Sequence, residues 1–396
     1  MNLLMVSFYL PDRSWGAGTR SYYLLQALAR QHSVSLLAVS VDSSTGTVSS
    51  ALQEMGLKDI WQIASTSSTQ KKRAQQILTM LQGKSYLLSL SYREEVQKKI
   101  DALLTQKHFD VVLFEGVFIA GYRVPKNLPV IIDQHNIEHE LLQRTYQQER
   151  SWVRKWYNWW ETRKLKPIEL ERCRKARGVL VTSEREYLLL KKLAPQCLVE
   201  IVPNGVDTET FRTIDGQQEV ANRIVFTGTI SYHPNTQAVL FFARECWPLI
   251  QAQIPDATWQ IVGSSPPPEV ERLAELPGVT VTGTVPDVKP YLAAASVVVA
   301  PLLIGSGTRL KILEALAMQK AVVSTSLGCE GLAVEDGKHL TVADQPELFA
   351  QAVVDLLQHA EKRASLGNAG RALVEAEYSW ERCGKTLNRT LEKWIR

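Results

Sequence analysis

The sequence predicts an α/β protein built from two doubly wound, Rossmann-like parallel-sheet domains. Three observations predict it. Short β-branched or apolar runs alternate with longer helix-period segments along almost the whole chain. The strand runs are nearly continuously apolar, as strands covered on both faces must be. The alternation comes as two series, divided by the turn-rich VPNGVDTETF at 202–211. The first series places strands at Asn2–Ser7, Ser33–Val39, Val111–Phe114, Val130–Asp133, Gly178–Thr182 and Glu200–Val202. The second places them at Arg223–Thr227, Thr258–Val262, Val279–Thr282, Ser296–Ala300 and Ala321–Ser324. Helical periodicity runs through Arg20–Gln31, Asn235–Ile250 and Thr308–Met318. The domains are therefore expected at 1–203 and 204–377, with a hinge near Asn204–Val206. Ligands of open α/β sheets bind beyond the carboxyl ends of strands, and two such sheets facing each other make a cleft.

Composition agrees and narrows the class. The 396 residues suffice for two to three domains, and 45% apolar with 22% charged residues excludes a disordered or fibrous chain. A net charge of +4 is too small to argue for nucleic acid, but its distribution is uneven. Residues 1–203 hold 28 Lys+Arg against 19 Asp+Glu, whereas the remainder holds 17 against 22. Five scattered cysteines without a CxxC pair fit a reducing, cytoplasmic compartment and no zinc site. The opening MNLLMVSFYLPD lacks the basic start of a signal peptide. The longest nearly apolar stretch, Tyr291–Gly305, contains Pro301 and is too short to span a bilayer. The chain is expected to be soluble or peripheral.

Two strand-end loops invite a phosphate. The first, FYLPDRSWGAGTR, delivers Gly16 and Gly18 to the start of a helix, where backbone N–H groups can approach an anion. A turn that simply needs glycine is the alternative reading. The second is PLLIGSGTRLKILEALAMQKAVVST at 301–325. There Gly305, Ser306, Gly307 and Thr308 can present N–H groups, and Arg309 and Lys311 add two cations beside the first helical turn. The helix macrodipole disfavours cations at that end unless an anion compensates. Glu314, flanked by Leu313 and Ala315, suits hydrogen bonding to sugar hydroxyls. A solvated Arg/Lys/Glu surface helix is the alternative.

The run GSGTRLKILEALAMQKAVVST, with GCEGL at 328–332, resembles the donor-binding region of family 4 retaining glycosyltransferases, which have the GT-B fold. Further segments match in the family's order: GAGTRSYYLLQALARQHSVSLLAV, DQHNIEHE at 133–140, VLVTSEREYLL at 179–189, VPNGVDTETF, TGTISYHPN at 227–235, VTGTVPDVKPYLAAASVVVAPL at 281–302 and YSWERC at 378–383. The resemblance implies that Glu314 is the second glutamate of the Glu-x7-Glu motif and holds the donor's ribose. Ser306 stands where the first glutamate belongs, a departure that leaves the donor sugar open. Gly228, Thr229 and His233 occupy the stretch where the family often has Arg and Lys, so Arg309 and Lys311 take over the pyrophosphate. Thr284 and Val285 match the nucleobase contact. His135 matches the active-site histidine beside the donor sugar. The last helix, about 378–396, is expected to cross back onto the N-terminal domain. The two histidines of DQHNIEHE lack a third ligand in that stretch, and the family's fold resembles metal-independent enzymes, so neither metal nor cofactor is expected. His139 reads as a helix-surface residue and Glu138 as a helix start; His32 and His108 read as solvated.

Residues 144–192 carry 14 Lys+Arg and 6 Asp+Glu. Within them Trp152, Trp156, Trp159 and Arg163 share one helix face, interleaved with Arg154, Lys155, Lys164 and Lys166. Such a helix suits an anionic membrane surface. The alternative is a helix packed on its own domain by that stripe. The expected activity is transfer of a sugar, with retention, from a UDP- or GDP-linked donor to a lipid-linked or saccharide acceptor in polysaccharide or glycolipid assembly. A non-catalytic GT-B partner subunit, a non-hydrolysing sugar-nucleotide epimerase and a glycogen-synthase-like or sucrose-synthase-like enzyme are the competing readings. The expected place is the cytoplasm, peripheral to the inner membrane face.

Overall fold

A computed structural model describes residues 1–13, 16–40, 50–64, 76, 78–80, 82–149, 151–214, 216–305 and 307–395. The chain divides into two compact units, Met1–Pro203 with Cys383–Arg396, and Asn204–Arg382.

The first unit is built on a seven-stranded parallel sheet. Its strands are β1 (Asn2–Ser7), β2 (Ser33–Ser40), β3 (Asp59–Ala64), β4 (Val111–Glu115), β5 (Val130–Asp133), β6 (Gly178–Val181) and β7 (Val199–Ile201), in the order β3-β2-β1-β4-β5-β6-β7. Strand β1 pairs with β2 on one side and β4 on the other, so the winding direction reverses between β1 and β4. Leu4, Val6, Val112 and Phe114 point into one apolar layer, with Val96, Ile100 and Leu103 of the helix Glu94–Gln106 laid over them. This double coverage is why these strands read as unbroken apolar runs.

The second unit repeats the plan with six parallel strands: β8 (Arg223–Thr227), β9 (Thr258–Val262), β10 (Val279–Gly283), β11 (Val297–Ala300), β12 (Ala321–Ser324) and β13 (Thr341–Val342), in the order β10-β9-β8-β11-β12-β13. Its reversal falls between β8 and β11. One side of this sheet packs a large aromatic core: Phe242 lies 4.7 Å from Trp259 and 5.9 Å from Phe349, centroid to centroid. The strand ends are locked together by glycine. Gly263 sits at φ +155°, and a Cβ there would lie 1.7 Å from the Gly228 carbonyl oxygen, so only glycine lets the loops after β8 and β9 cross this closely.

The structure departs from the sequence expectation in three places. β3 and β13 were not expected; both are edge strands, half exposed or very short, and so lack the apolar signature of central strands. The helix expected over Asn235–Ile250 is instead an α-helix at His233–Phe241, a π-helical turn at Phe242–Cys246 and a second α-helix from Trp247 to Gln253. Pro248 lies in the first turn of that last helix, where it cannot donate an N–H to the preceding turn. The turn-rich segment at 202–211 is also stitched in place: the Val206 N–H donates to the Tyr378 carbonyl at 2.8 Å.

The helices that position the sites are α1 (Gly16–Ala29), α2 (Glu138–Gln148), α3 (Trp152–Lys175), α4 (His233–Phe241), α5 (Leu310–Ala317) and α6 (Trp380–Ile395). Two buried glutamates on α3 cap other helices. Glu161 accepts from the Ser85 hydroxyl and from the Leu87 N–H at 3.1 Å, at the start of the helix Tyr86–Ser91. Glu169 accepts from the N–H groups of Glu138 and His139, both at 2.9 Å, and from the Gln134 amide at 2.6 Å. A helix start leaves N–H groups without intrahelical partners, and a carboxylate both bonds them and meets the positive end of the dipole. Replacing Glu169 with Ala strands these buried donors, and urea denaturation of Glu169→Ala is expected to show a loss of about 3 kcal/mol.

Candidate active site

In the first unit the ends of β4 and β5 carry acid side chains side by side, Glu115 opposite Asp133 in the register. Between them and α1 sits a buried guanidinium. Arg20 Nε donates to Asp133 Oδ2 at 2.9 Å and Arg20 Nη2 to Asp133 Oδ1 at 2.6 Å, a bidentate pair. Arg20 Nη1 also donates to the Pro203 carbonyl at 3.2 Å. Burial raises the Asp133 pKa, but Arg20 and then His135 outweigh it and hold the carboxyl well below its usual range. Glu115 goes the other way: burial pushes its carboxyl up, against the opposing pull of His135. The Ser7 hydroxyl donates to its Oε2 at 2.8 Å, and the Ser21 hydroxyl donates to the same oxygen. Adjacent acids thus part into one firmly ionised and one tending to neutral.

His135 lies just past β5, with Nε2 3.4 Å from Asp133 Oδ2. Among the described residues its Nε2 and the Glu115 Oε1 are buried without a hydrogen-bond partner. The sequence stretch around His135 offered no third metal ligand; the fold supplies one, because Glu115, Asp133 and His135 hold ligand atoms within 4.8 Å of one another. Both Asp133 oxygens are engaged by Arg20, which already meets the negative charge there.

His139 corrects the sequence reading. It is 2% exposed rather than on the helix surface, and its Nδ1 lies 2.7 Å from Glu169 Oε2. Glu138 does begin α2. Burial, then the neighbouring Glu169 carboxylate, pushes its own carboxyl up to about 8. His108 is exposed, and His32 is half-buried with its pKa lowered by burial.

In the second unit the loop after β11 and the start of α5 meet the loop after β8 at the point of strand reversal. Arg309 is the N-cap of α5, with extended backbone and no side-chain cap. Its guanidinium folds over Gly305, where φ is +137° and a Cβ would overlap it. Lys311 Nζ donates to Asn235 Oδ1 at 2.8 Å and lies 3.9 Å from the centroid of the Phe226 ring. Asn235 Nδ2 in turn donates to the Thr229 carbonyl at 2.8 Å. A Cβ on Gly228 would come within 2.9 Å of both Lys311 Nζ and Asn235 Nδ2, so this glycine leaves the lysine its place. Burial first, then Arg309, lowers the Lys311 ammonium to about 7 against the attraction of Glu314. Burial raises Glu314 to about 7, opposed by Lys311. Thr308 is buried, and among the described residues its hydroxyl has no partner.

Two cations so close to a helix start, each disfavouring the other, make a site that favours an anion. The structure therefore brings Gly228, Lys311, Arg309, Gly305 and Glu314 together, as the sequence reading grouped them. Gly307 lies in the same loop at φ +72°. Thr229 and Thr284 are exposed, and Val285 is half-buried against an apolar cluster of the second unit. Ser306 lies outside the described residues. Gly16 and Gly18 are in the other unit, in the first turn of α1. Arg20, Glu115, Glu169 and Asn235 were not singled out from the sequence. Arg20 had a signal: it stands at the helical spacing of Leu24 and Leu28, at a position where a core residue is expected. Glu115 ends the buried run VVLF as Asp133 ends VII.

Residues 16–210 match the family described as Glycosyltransferase Family 4, and residues 221–359 match Glycosyl transferases group 1. The chain carries both domains of the group 1, family 4 glycosyltransferases. Its fold is GT-B. Sucrose-phosphate synthase from Thermosynechococcus elongatus, 16% identical, superposes over 99% of each chain with a TM-score of 0.74. HepE from Anabaena, solved in complex with UDP, is 14% identical and covers 99% of this chain and 100% of its own, with a TM-score of 0.67. A phosphatidyl-myo-inositol mannosyltransferase of Mycobacterium tuberculosis is 29% identical over 206 residues, 48% of this chain and 53% of its own length. The chain spans about half the length of such curated relatives.

The first unit of this chain is held at its strand ends by the Arg20–Asp133 pair. Because the Asp133 pKa is depressed, its contribution is present above the unfolded value of about 4 and is lost as pH falls below it. Arg20→Ala leaves a buried carboxylate alone. It is expected to cost about 3–5 kcal/mol at neutral pH, with the penalty shrinking below about pH 4, as read by denaturant midpoints across pH.

Proposed function

We propose that this chain transfers a sugar, with retention, from a nucleotide-diphosphate sugar to an acceptor hydroxyl. The observation that carries the reading is the desolvated Arg309–Lys311 pair at the start of α5, at the β8/β11 reversal. Arg309, Lys311 and the N–H groups of the 305–308 loop would take the diphosphate and neutralise the charge that develops on it as the sugar leaves, the kind of term expected to dominate such chemistry. Glu314 would accept from ribose hydroxyls, and Thr284 and Val285 would meet the base. The site calls for no metal, since its own cations face the phosphates. In the first unit His135 would bind the donor sugar, its Nε2 lying 3.4 Å from Asp133 Oδ2. The HepE complex supports a uridine nucleotide, and the mannosyltransferase relatives support a glycolipid acceptor in polysaccharide or glycolipid assembly.

A second reading has one observation behind it. Ser306 stands where the family motif has its first glutamate, which would suit a partner subunit that binds nucleotide without turning over. Thermal shift with UDP, GDP and their sugars separates the readings from a wrong site. A nucleotide at a hundredfold excess over its Kd is expected to stabilise the chain by about 2.7 kcal/mol, and Arg309→Ala is expected to abolish the shift. No shift with any nucleotide overturns both readings. A shift without product release leaves the partner-subunit reading standing.

The lysine also sets a pH dependence. With Lys311 titrating near 7, the free site loses a positive charge as pH rises through that value. Diphosphate affinity measured by calorimetry is expected to fall between about pH 6 and about pH 8 in the wild type. It is expected to fall less steeply in Lys311→Arg, whose guanidinium remains charged throughout, the remaining fall coming from Glu314, which ionises over the same range.

A further inference from the structure

The tryptophan end of α3 is the strongest unexplained feature of the first unit. Trp152 is 80% exposed, Val153 54% and Trp156 48%. Further along the helix the rings are engaged: Trp160 stacks on the exposed Trp156 with centroids 6.0 Å apart, Arg163 lies 4.9 Å over Trp159 and Lys164 4.6 Å over Trp160. The face that holds α3 to its own domain is a different one, made of Glu161, Thr162, Leu165, Glu169, Leu170 and Cys173. The stripe is thus not what packs the helix down.

Two further observations bear on what covers it. The first turn of α3 contains Arg154 and Lys155, no acid and no side-chain cap, so two exposed cations stand at the positive end of a 24-residue helix. Glu149, which accepts from the Ser151 N–H at 3.0 Å, is a carboxylate already at this end, and the two exposed cations favour a further anion. Next, Glu161 pins the helix Tyr86–Ser91 against α3, and exposed Lys84 and Leu90 lie on that segment, before and within the helix. Each of these two segments, joined by a buried carboxylate, carries at least one exposed apolar side chain and an exposed cation.

We propose that this surface docks on an anionic lipid leaflet, with Trp152, Val153 and Trp156 entering the interface and Arg154 and Lys155 meeting headgroup phosphates. Indole rings favour the boundary between headgroups and acyl chains, and each cation near an anionic surface adds attraction. No helix among the described residues is long and apolar enough to cross a membrane, so the contact is a peripheral one. A second copy of this chain fits less well, because a two-fold contact would set these cations against their own counterparts.

Flotation of the full chain with vesicles tests this without turnover, so its outcome is independent of the proposed transfer reaction. Binding is expected to vesicles with about one-third phosphatidylglycerol and to be weak with phosphatidylcholine alone. Trp152→Ser with Trp156→Ser is expected to lower partitioning at least about tenfold. Arg154→Gln with Lys155→Gln is expected to lower it roughly thirtyfold on anionic vesicles only. Both pairs are exposed, so unchanged melting temperatures confirm an intact fold. Equal flotation with neutral vesicles, or full binding by the tryptophan variant, overturns the proposal. So does a wild-type dimer in light scattering that the tryptophan substitutions dissociate.

Discussion

Parallel strands whose two faces are both covered leave little room for chemistry along their length. Every backbone group is committed to a neighbour and every side chain to a layer of helices. The open positions are the carboxyl ends, above all where the winding reverses and flanking loops diverge. In this chain the reversals fall between β1 and β4 and between β8 and β11. The two charged clusters lie at those ends: Glu115, Asp133, His135 and Arg20 in one unit, and Arg309, Lys311 and Glu314 in the other. The sheet order dictates where they are; the residue types dictate what they can bind.

Burial then does opposite things to similar groups. Asp133 is kept ionised because a guanidinium reaches both of its oxygens, while Glu115, with only hydroxyl donors, is pushed toward the neutral form. Lys311 and Glu314 are both drawn toward about 7 because their mutual attraction does not offset desolvation. An anion bound beside Lys311 changes that balance, favouring its charged form. The same desolvation appears as support elsewhere. Glu161 and Glu169 are buried on α3 and bond the unpaired N–H groups of other helix starts. One helix thereby fixes the segment after His135 and also holds the Tyr86–Ser91 helix.

Much of this was legible in the sequence. Asn2–Ser7, Val130–Asp133, Arg223–Thr227, Thr258–Val262 and Ala321–Ser324 are strands with the expected bounds, because apolar runs flanked by turn residues mark central strands sharply. The loop around Gly305–Lys311 was legible because cations at a helix start are anomalous in their own right. The edge strands β3 and β13 were not, since a half-exposed strand carries a mixed pattern. His139 was misjudged for a related reason: a polar residue in a helix reads as surface unless its partner is known, and Glu169 lies 30 residues away.

The sequence alone determined the class of fold, the two-part division, and the cationic loop that asks for an anion. These are local properties: periodicity, turn composition, and charge beside a helix start. Only the tertiary structure decided which acid is ionised, that Glu115 joins Asp133 and His135, and that Trp152 and Trp156 remain outside while Glu161 and Glu169 go inside. Those outcomes depend on partners that the chain brings together across tens or more of residues. A side chain's charge state and burial are set by that company, which spacing along the sequence does not encode.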